Sequence, residues 1–259
     1  MNAIITCCNS SYFEKAKKSF INSFKFNQDS KHIIYLFGNK PEIIDAPEFI
    51  SIKNIPENIE ALNNPLLFAY KYWAILDSLN NGENKNIIYS DAANKINGCL
   101  SDIENFYKKN VLLSRYKDGQ FLIKHWTTKK CIETLNGENF LNIPQIWAGF
   151  QAYKNTPQNI TFVKNMLNLC IDESLSGPIP SISKPDGEGS ECIQHRNDQS
   201  ILSIESLKNN LYPEYDDTVT YTFGDFISMK YFYISQYDGD HLNLLNRKIF
   251  PRHYKYHSS

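Results

Sequence analysis

Short apolar runs rich in isoleucine, phenylalanine and tyrosine alternate with segments whose apolar residues recur at helical spacing. The runs lie at residues 3–7, 32–37, 49–55 and 86–90, and each is closed within two residues by asparagine, glycine, proline or aspartate. The helical segments carry their apolar residues at Phe13, Ala16, Phe20 and Phe24, and then, after Pro65, at Leu66, Ala69, Trp73, Leu76 and Leu79. This alternation predicts an α/β fold, an open sheet flanked by helices, with its ligand at the carboxyl ends of the strands.

The second half of the chain is less regular. Residues 121–124 are compatible with a strand, a short helix is expected from Thr127, and residues 143–153 hold another apolar run. Thr156, directly before a proline, predicts the start of a further helix. Residues 176–190 are rich in proline and glycine, so we expect an irregular loop beside a site.

Composition narrows the class of protein. With 259 residues, 42% of them hydrophobic, the chain can form one sizeable core, so we expect a single domain over residues 1–259. A net charge of −1 gives no bulk attraction to nucleic acid, and the six cysteines lack the spacing of metal ligands. No basic leader and no membrane-length apolar stretch occur, so we expect a cytoplasmic protein without a membrane span.

Two strand ends carry polar side chains. The first strand ends in a segment that includes Thr6 and Asn9, which could meet a nucleotide, although it lacks the glycine-rich loops of dinucleotide and P-loop sites. The fourth strand, NIIYS, leads directly into Asp91. A carboxylate there could hold a divalent cation on a diphosphate, whereas the alternative is an aspartate that only caps the following turn.

The segment IIYSDAANKIN at residues 87–97 resembles the metal- and nucleotide-binding segment of GT-A glycosyltransferases, in which a strand runs into Asp-x-Asp. Its second acid is replaced by Ala93, and Asn94 or Asn97 would offer weaker oxygen ligands. Five segments, which occur in the same order along the chain as in the group, resemble a capsule-type bacterial and viral glycosyltransferase group with DAGCxIN and HRHDQSI-like motifs. These segments are AYKYWAIL (69–76), DAANKIN (91–97), HWTTKKC (125–131), QIWAGFQAYKNT (145–156) and QHRNDQSILS (194–203).

The resemblance implies a GT-A-like open mixed sheet and assigns roles to single residues. Lys71 would neutralise donor phosphate, although a helix lysine taken alone is usually exposed. Ala148 and Gly149 would let the backbone approach the donor sugar. Asp198 and Gln199 match the Asp-Gln pair of those enzymes and would form the catalytic pair beside the sugar.

Other polar residues near this catalytic pair have alternative roles. The Asp198 carboxylate would also cap its own helix. Arg196 would pair with Asp198 or with phosphate. Glu191 is the alternative to Asp198 as general base, and Gln199 would lie near the anomeric carbon in a retaining enzyme.

The activity implied is transfer of a monosaccharide from a nucleoside diphosphate sugar to a glycan or glycolipid hydroxyl, in surface polysaccharide or glycan synthesis. Asp91 would organise the diphosphate directly or through Mn²⁺ or Mg²⁺, with His241 as a further candidate metal ligand. The basic run 241–257 could close over the diphosphate, remain a solvated tail, or make peripheral contact with a membrane. The alternatives are a non-catalytic nucleotide- or glycan-binding module and a sugar-nucleotide nucleotidyltransferase.

Overall fold

The computed structural model describes residues 1–96, 98–99, 110–116, 119–177, 185–187, 189–213, 219–222, 226–229 and 232–236. Within these residues the strands are β1 (Asn2–Cys8), β2 (Lys31–Leu36), β3 (Ile50–Asn54), β4 (Asn86–Ser90), β5 (Asn94–Ile96), β6 (Val111–Arg115), β7 (Ile146–Lys154), β8 (Val219–Thr222), β9 (Phe226–Met229) and β10 (Phe232–Gln236). The α-helices are α1 (Ser10–Phe24), α2 (Glu60–Asn63), α3 (Ala69–Asn80), α4 (Ile123–Trp126), α5 (Lys129–Thr134), α6 (Pro157–Ile171), α7 (Glu173–Ser176) and α8 (Asp198–Lys208), with a 3-10 turn at Glu138–Phe140.

The main sheet is open and mixed, in the order β3-β2-β1-β4-β7-β6. Strands β1 to β4 are parallel, so their carboxyl ends share one edge, and β7 runs antiparallel to both β4 and β6. Strands β5, β10, β9 and β8 form a second, antiparallel sheet in that order. The predicted α/β architecture, an open mixed sheet flanked by helices, is confirmed.

Each face of the main sheet buries its own core because successive strand residues point to opposite sides. On β1, Ala3, Ile5 and Cys7 pack with the residues of α3, α6 and α8. Ile4 and Cys8 pack on the other face, against α1. The polar cluster described below lies with α3 and α8.

Helix starts follow capping chemistry at several places. Thr156 caps α6 by accepting from the Asn159 backbone N–H at 3.3 Å, as predicted. Asn9 caps α1, its Oδ1 accepting from the backbone N–H of Ser11 at 3.1 Å. The Asn9 side chain is therefore engaged in the fold, and β1 passes into α1 through this single residue.

Two local predictions are wrong. The helix expected from Pro65 begins only at Ala69, as α3, because Phe68 before it has a left-handed backbone with φ of 58°. Residues 121–124 do not form a strand; Ile123–Trp126 is helical, with only an isolated bridge at Leu122. The carbonyls of His125 and Trp126 accept from the backbone N–H groups of Ile193, Gln194 and Arg196, so tertiary pairing overrides local propensity.

Some expectations fall outside the described residues. The irregular loop predicted at 176–190 is described only in part, and Asn97, His241 and the basic run 241–257 are not among the described residues. No described helix is both long enough and apolar enough to cross a membrane.

Candidate active site

A buried ion pair joins α3 to α8 at the carboxyl edge of the main sheet. Lys71 Nζ donates to Asp198 Oδ2 at 2.7 Å and to the carbonyl of Ala148 at 3.1 Å, and it lies 3.7 Å from Asp91 Oδ1. The side chains of Lys71 and Asp198 are only 2% and 5% exposed. Lys71 is thus not the exposed helix lysine that its sequence position alone would suggest, and three residues from other parts of the chain meet at its ammonium.

The surroundings of Lys71 keep it charged. The ammonium lies 5.4 Å from the ring centre of Phe68 and 5.2 Å from that of Tyr89, which are favourable cation–π distances. Burial works against the charge, but the carboxylates of Asp198 and Asp91 outweigh it and raise the pKa of Lys71 to about 12. Burial also raises the pKa of Asp198, and the ammonium at hydrogen-bond distance opposes that shift. The short, direct contact of 2.7 Å favours the ionised form of the pair.

Asp91 is the accessible carboxylate of the cluster. Its side chain is 43% exposed, and Oδ1 accepts from the Tyr89 hydroxyl at 2.8 Å. The turn after β4 is closed by the backbone, since the N–H of Asn94 donates to the Asp91 carbonyl at 2.9 Å. The carboxylate is therefore directed toward Lys71 and Tyr89 and leaves one face to solvent.

Gly149 allows β7 to approach this carboxylate. Leu113 of β6 pairs with Gln151, and the next residue pairs with Trp147, so residues 148–150 bulge out of the β6 ladder. A Cβ on Gly149 would lie 2.6 Å from the Trp147 ring and 2.8 Å from Asp91 Oδ2. The residue must be glycine here because Asp91 and Trp147 already fill that space.

Asp198 is the first residue of α8 rather than its N-cap residue, and its carboxylate also interacts with the backbone N–H of Gln199 in the first turn. Asn197 is the N-cap residue, with φ of 47° and ψ of −123°, and its side chain makes no capping bond. The Asn197 amide instead donates to the carbonyls of Leu66 and Ser176 at 2.9 and 2.6 Å. These bonds fix the approach of the chain to α8 and leave the Asp198 carboxylate for Lys71.

Gln199 belongs to a buried amide and hydroxyl network. Its Nε2 donates to Gln145 Oε1 at 2.8 Å, and Gln145 Nε2 donates in turn to Thr127 Oγ1 at 3.0 Å. The hydroxyl of Tyr116 interacts with both Gln199 and Arg196. Gln199 is only 6% exposed, so this network holds it in one orientation.

Arg196 lies against aromatic rings at the end of this network. Its guanidinium carbon is 5.4 Å from the ring centre of Trp126 and 5.9 Å from that of Phe121. The ion pair considered between Arg196 and Asp198 does not form, because Asp198 pairs with Lys71. Within the described ranges no carboxylate pairs with Arg196, which is half-buried.

His195, which precedes Arg196, has a structural environment. Its Nδ1 accepts from the Thr128 N–H at 3.3 Å, and its Nε2 therefore donates to the Leu175 carbonyl at 2.7 Å. Burial lowers the pKa of His195 to about 4, so the ring is neutral near pH 7. His195 thus joins α5 and α7 to the segment that leads into α8.

The remaining predicted site residues lie apart from the ion pair. Thr6 is buried and its hydroxyl has no hydrogen-bond partner among the described residues. Asn9 caps α1, as described above. Asn94 is fully buried, and its amide donates to the Gly149 carbonyl at 2.8 Å and to Ser90 Oγ at 3.2 Å. The structure therefore brings Lys71, Asp91, Ala148, Gly149 and Asp198 into direct contact. Gln199 and Arg196, on either side of Tyr116, belong to the adjoining network.

Several participants were not selected from the sequence. Gln145 and Trp126 lie in segments that carried the family resemblance, so the signal was present but unassigned. Tyr116 follows an apolar strand and shows no sequence signal, since its role depends on residues from far along the chain. The sequence predicts Tyr89 as an ordinary core residue of a strand, and only its hydrogen bond to Asp91 in the structure indicates a role in the site.

The described residues offer few ligands to a divalent cation. They include no group of three or more histidine, cysteine, aspartate or glutamate side chains placed to bind a metal. Asp91 presents a carboxylate to solvent, whereas Asp198 is buried against Lys71 and the Asn94 oxygen is buried from solvent. Because His241 lies outside the described ranges, the predicted Mn²⁺ or Mg²⁺ site stays a prediction.

Comparison with known proteins gave no matching family model and no curated relative. Among solved structures, the chain is similar to apo WbbM, a bifunctional glycosyltransferase, with 12% identity over 67% of this chain and 37% of WbbM, at a TM-score of 0.43. It is also similar to the glycosyltransferase GlyE of Streptococcus pneumoniae TIGR4, with 14% identity over 84% of this chain and 45% of GlyE, at a TM-score of 0.45. The chain spans less than half the length of either structure.

Proposed function

We propose that the protein is a glycosyltransferase that moves a monosaccharide from a nucleoside diphosphate sugar to a hydroxyl of a glycan or glycolipid, in the synthesis of surface polysaccharide or another glycan. The observation that carries the proposal is the half-exposed Asp91 carboxylate, held by Tyr89 and Lys71 at the carboxyl ends of parallel strands. Ligands of open α/β sheets bind at this edge. The ordered motif segments between residues 69 and 203 point to the same chemistry.

The geometry divides the roles among the site residues. Asp91 would meet the substrate, binding sugar hydroxyls or accepting the proton of the acceptor hydroxyl. Asp198 would act through Lys71 as a positioning residue, because its carboxylate is buried and already bonded to the ammonium. The Gln199 amide would orient a sugar without adding charge.

The test is donor turnover by the purified protein. Release of nucleoside diphosphate is measured for a panel of sugar nucleotides, with and without glycan acceptors, for wild type and for Asp91→Asn. We expect the substitution to lower turnover at least about 100-fold, since it removes the accessible carboxylate while keeping its size. Asp29→Asn is the matched control at an exposed position and should match wild type. Equal turnover by Asp91→Asn and wild type would disprove the assigned role.

A non-catalytic nucleotide- or glycan-binding module is the second candidate. It is favoured by Ala93 in place of a second acid and by the engagement of Lys71 with two carboxylates. Nucleotide binding without turnover on any donor and acceptor pair would support it. A nucleotidyltransferase is disfavoured, because the single residue between β1 and α1 leaves no room for a glycine-rich phosphate loop.

A further inference from the structure

The ammonium of Lys71 is already neutralised by two carboxylates and is not available to a donor diphosphate. One ammonium faces two carboxylates, at 2.7 and 3.7 Å, so Lys71, Asp91 and Asp198 together carry one net negative charge. Lys71 is also only 2% exposed. A leaving diphosphate therefore needs a positive charge from elsewhere in the site.

A divalent cation does not fit well at the described residues. The position of the second acid is Ala93, and Asp91 is the only described carboxylate of the cluster that faces solvent. Its Oδ1 already accepts from Tyr89 and lies near the Lys71 ammonium, which would repel a second cation. Hard cations such as Mg²⁺ and Mn²⁺ favour several oxygen ligands, and these residues supply one carboxylate.

Arg196 has the properties that a diphosphate site requires. Its guanidinium is half-buried and held against Trp126 and Phe121, so less side-chain freedom is lost on binding. No described carboxylate competes for it. Arg196 packs against Trp126, the carbonyl of Trp126 accepts from Gln145 Nε2 at 3.2 Å, and Gln145 Oε1 accepts from Gln199, so Arg196 lies beside the network that holds Gln199. A planar guanidinium binds phosphate oxygens through two parallel hydrogen bonds.

We infer that Arg196, rather than a divalent cation, carries the charge of the donor diphosphate, so that nucleotide binding is independent of metal. This inference rests on the proposed function. It assigns the phosphate end of the donor to the aromatic side of the site and the sugar end to Asp91 and Gln199.

The experiment is isothermal titration with UDP, GDP and their common sugar conjugates, in excess EDTA and again in excess Mn²⁺. We expect Kd for the bound nucleotide to agree within about twofold between the two conditions. Arg196→Gln should weaken binding about 10- to 100-fold, the loss of a charge-assisted bidentate contact. The affinity of Arg196→Lys should lie between those of the wild type and Arg196→Gln, because lysine keeps the charge but lacks the planar guanidinium that binds two oxygens at once. Lys129→Gln removes the same charge at an exposed site and should bind as wild type.

The outcomes separate this inference from the proposed function. Binding that is lost in EDTA and restored by Mn²⁺ would overturn the inference and leave glycosyl transfer standing. Wild-type affinity in Arg196→Gln, with its melting temperature unchanged, would also overturn it. If no nucleotide or sugar nucleotide binds the wild type under either condition, the proposed function fails, and the inference fails with it.

Discussion

Removal of the Lys71 ammonium should be among the most damaging single changes to the fold. At an effective dielectric of about 20, the 2.7 Å contact with Asp198 corresponds to roughly 6 kcal/mol of attraction, most of which offsets the burial of two charges. Lys71→Met keeps the volume but leaves Asp198 buried without its partner. We expect a loss of about 3–5 kcal/mol in the free energy of unfolding, a large fraction of the roughly 5–15 kcal/mol of a typical domain.

A double-mutant cycle measured by urea unfolding tests this reasoning. Lys71→Met combined with Asp198→Asn should recover much of the loss, because the second change removes the unpaired buried charge. Lys53→Met is the matched control: its pair with Asp77 also has an N–O distance of 2.8 Å but is 40% and 34% exposed, so we expect a loss below about 1 kcal/mol.

The stability of the Lys71→Met variant should depend on pH in a characteristic way. Without the ammonium, the folded-state pKa of Asp198 lies further above its unfolded value. A carboxyl group whose pKa is raised in this way destabilises the fold only above its unfolded pKa, so the deficit of Lys71→Met should shrink as pH falls toward about 4. The reasoning is refuted if Lys71→Met unfolds within about 1 kcal/mol of wild type, or if the double variant is as unstable as the single one.

Three further changes test other parts of the site. Gly149→Ala should destabilise by roughly 1–3 kcal/mol in urea unfolding, because its Cβ would lie 2.6 Å from the Trp147 ring; unchanged stability would contradict the close packing. Asn197→Asp should cost about 2 kcal/mol or more near neutral pH, since a carboxylate would face the two carbonyls that the amide now binds, and a neutral result would show that these bonds are dispensable. His32 and His195, whose pKa values burial lowers to about 4, keep their stabilising effect above pH 6.5 and lose it as pH falls toward 4. The melting temperature should therefore fall over that range, and the free energy of unfolding should fall by up to about 3 kcal/mol per histidine. A melting temperature that does not change with pH would contradict the burial of neutral rings.

The sequence predicted the parts of the fold that depend on local pattern. The strand before Asp91 and the helix capped by Thr156 follow from hydrophobic period and capping chemistry, and both occur as predicted. The prediction of a strand at residues 121–124 was wrong because their apolar character suits a strand, whereas backbone bonds to Leu141 and Ile143 and from Ile193 and Arg196 hold the segment 123–126 as a helical turn. Non-local hydrogen bonds of this kind leave no periodic signal.

The candidate site likewise contains residues that a local pattern predicts and residues that only non-local contacts define. Asp91 was proposed as a site residue from its place after an apolar strand, and Lys71 and Asp198 only from their resemblance to family motifs. That Lys71 is buried between two carboxylates could not be predicted from periodicity, since Asp198 lies 127 positions further along the chain. Tyr116 was missed for the same reason, because its partners Arg196 and Gln199 come from another element.

Backbone strain gathers at the junctions that deliver these side chains. Phe68 precedes the helix of Lys71, Asn197 precedes Asp198, and Phe121 contacts Arg196; all three have positive φ, at 58°, 47° and 47°. The other described non-glycine residues with positive φ are asparagines, which tolerate this region better than aromatic residues.

At roughly 1–3 kcal/mol each, the three strained positions together cost about 3–9 kcal/mol, comparable with the stability of a whole domain. Such conformations persist only where surrounding contacts determine them. The Lys71 ion pair connects the helices that follow Phe68 and Asn197, so it is one of those contacts. Its loss would remove a restraint on both junctions at once, which is a second reason to expect a large effect from one buried lysine.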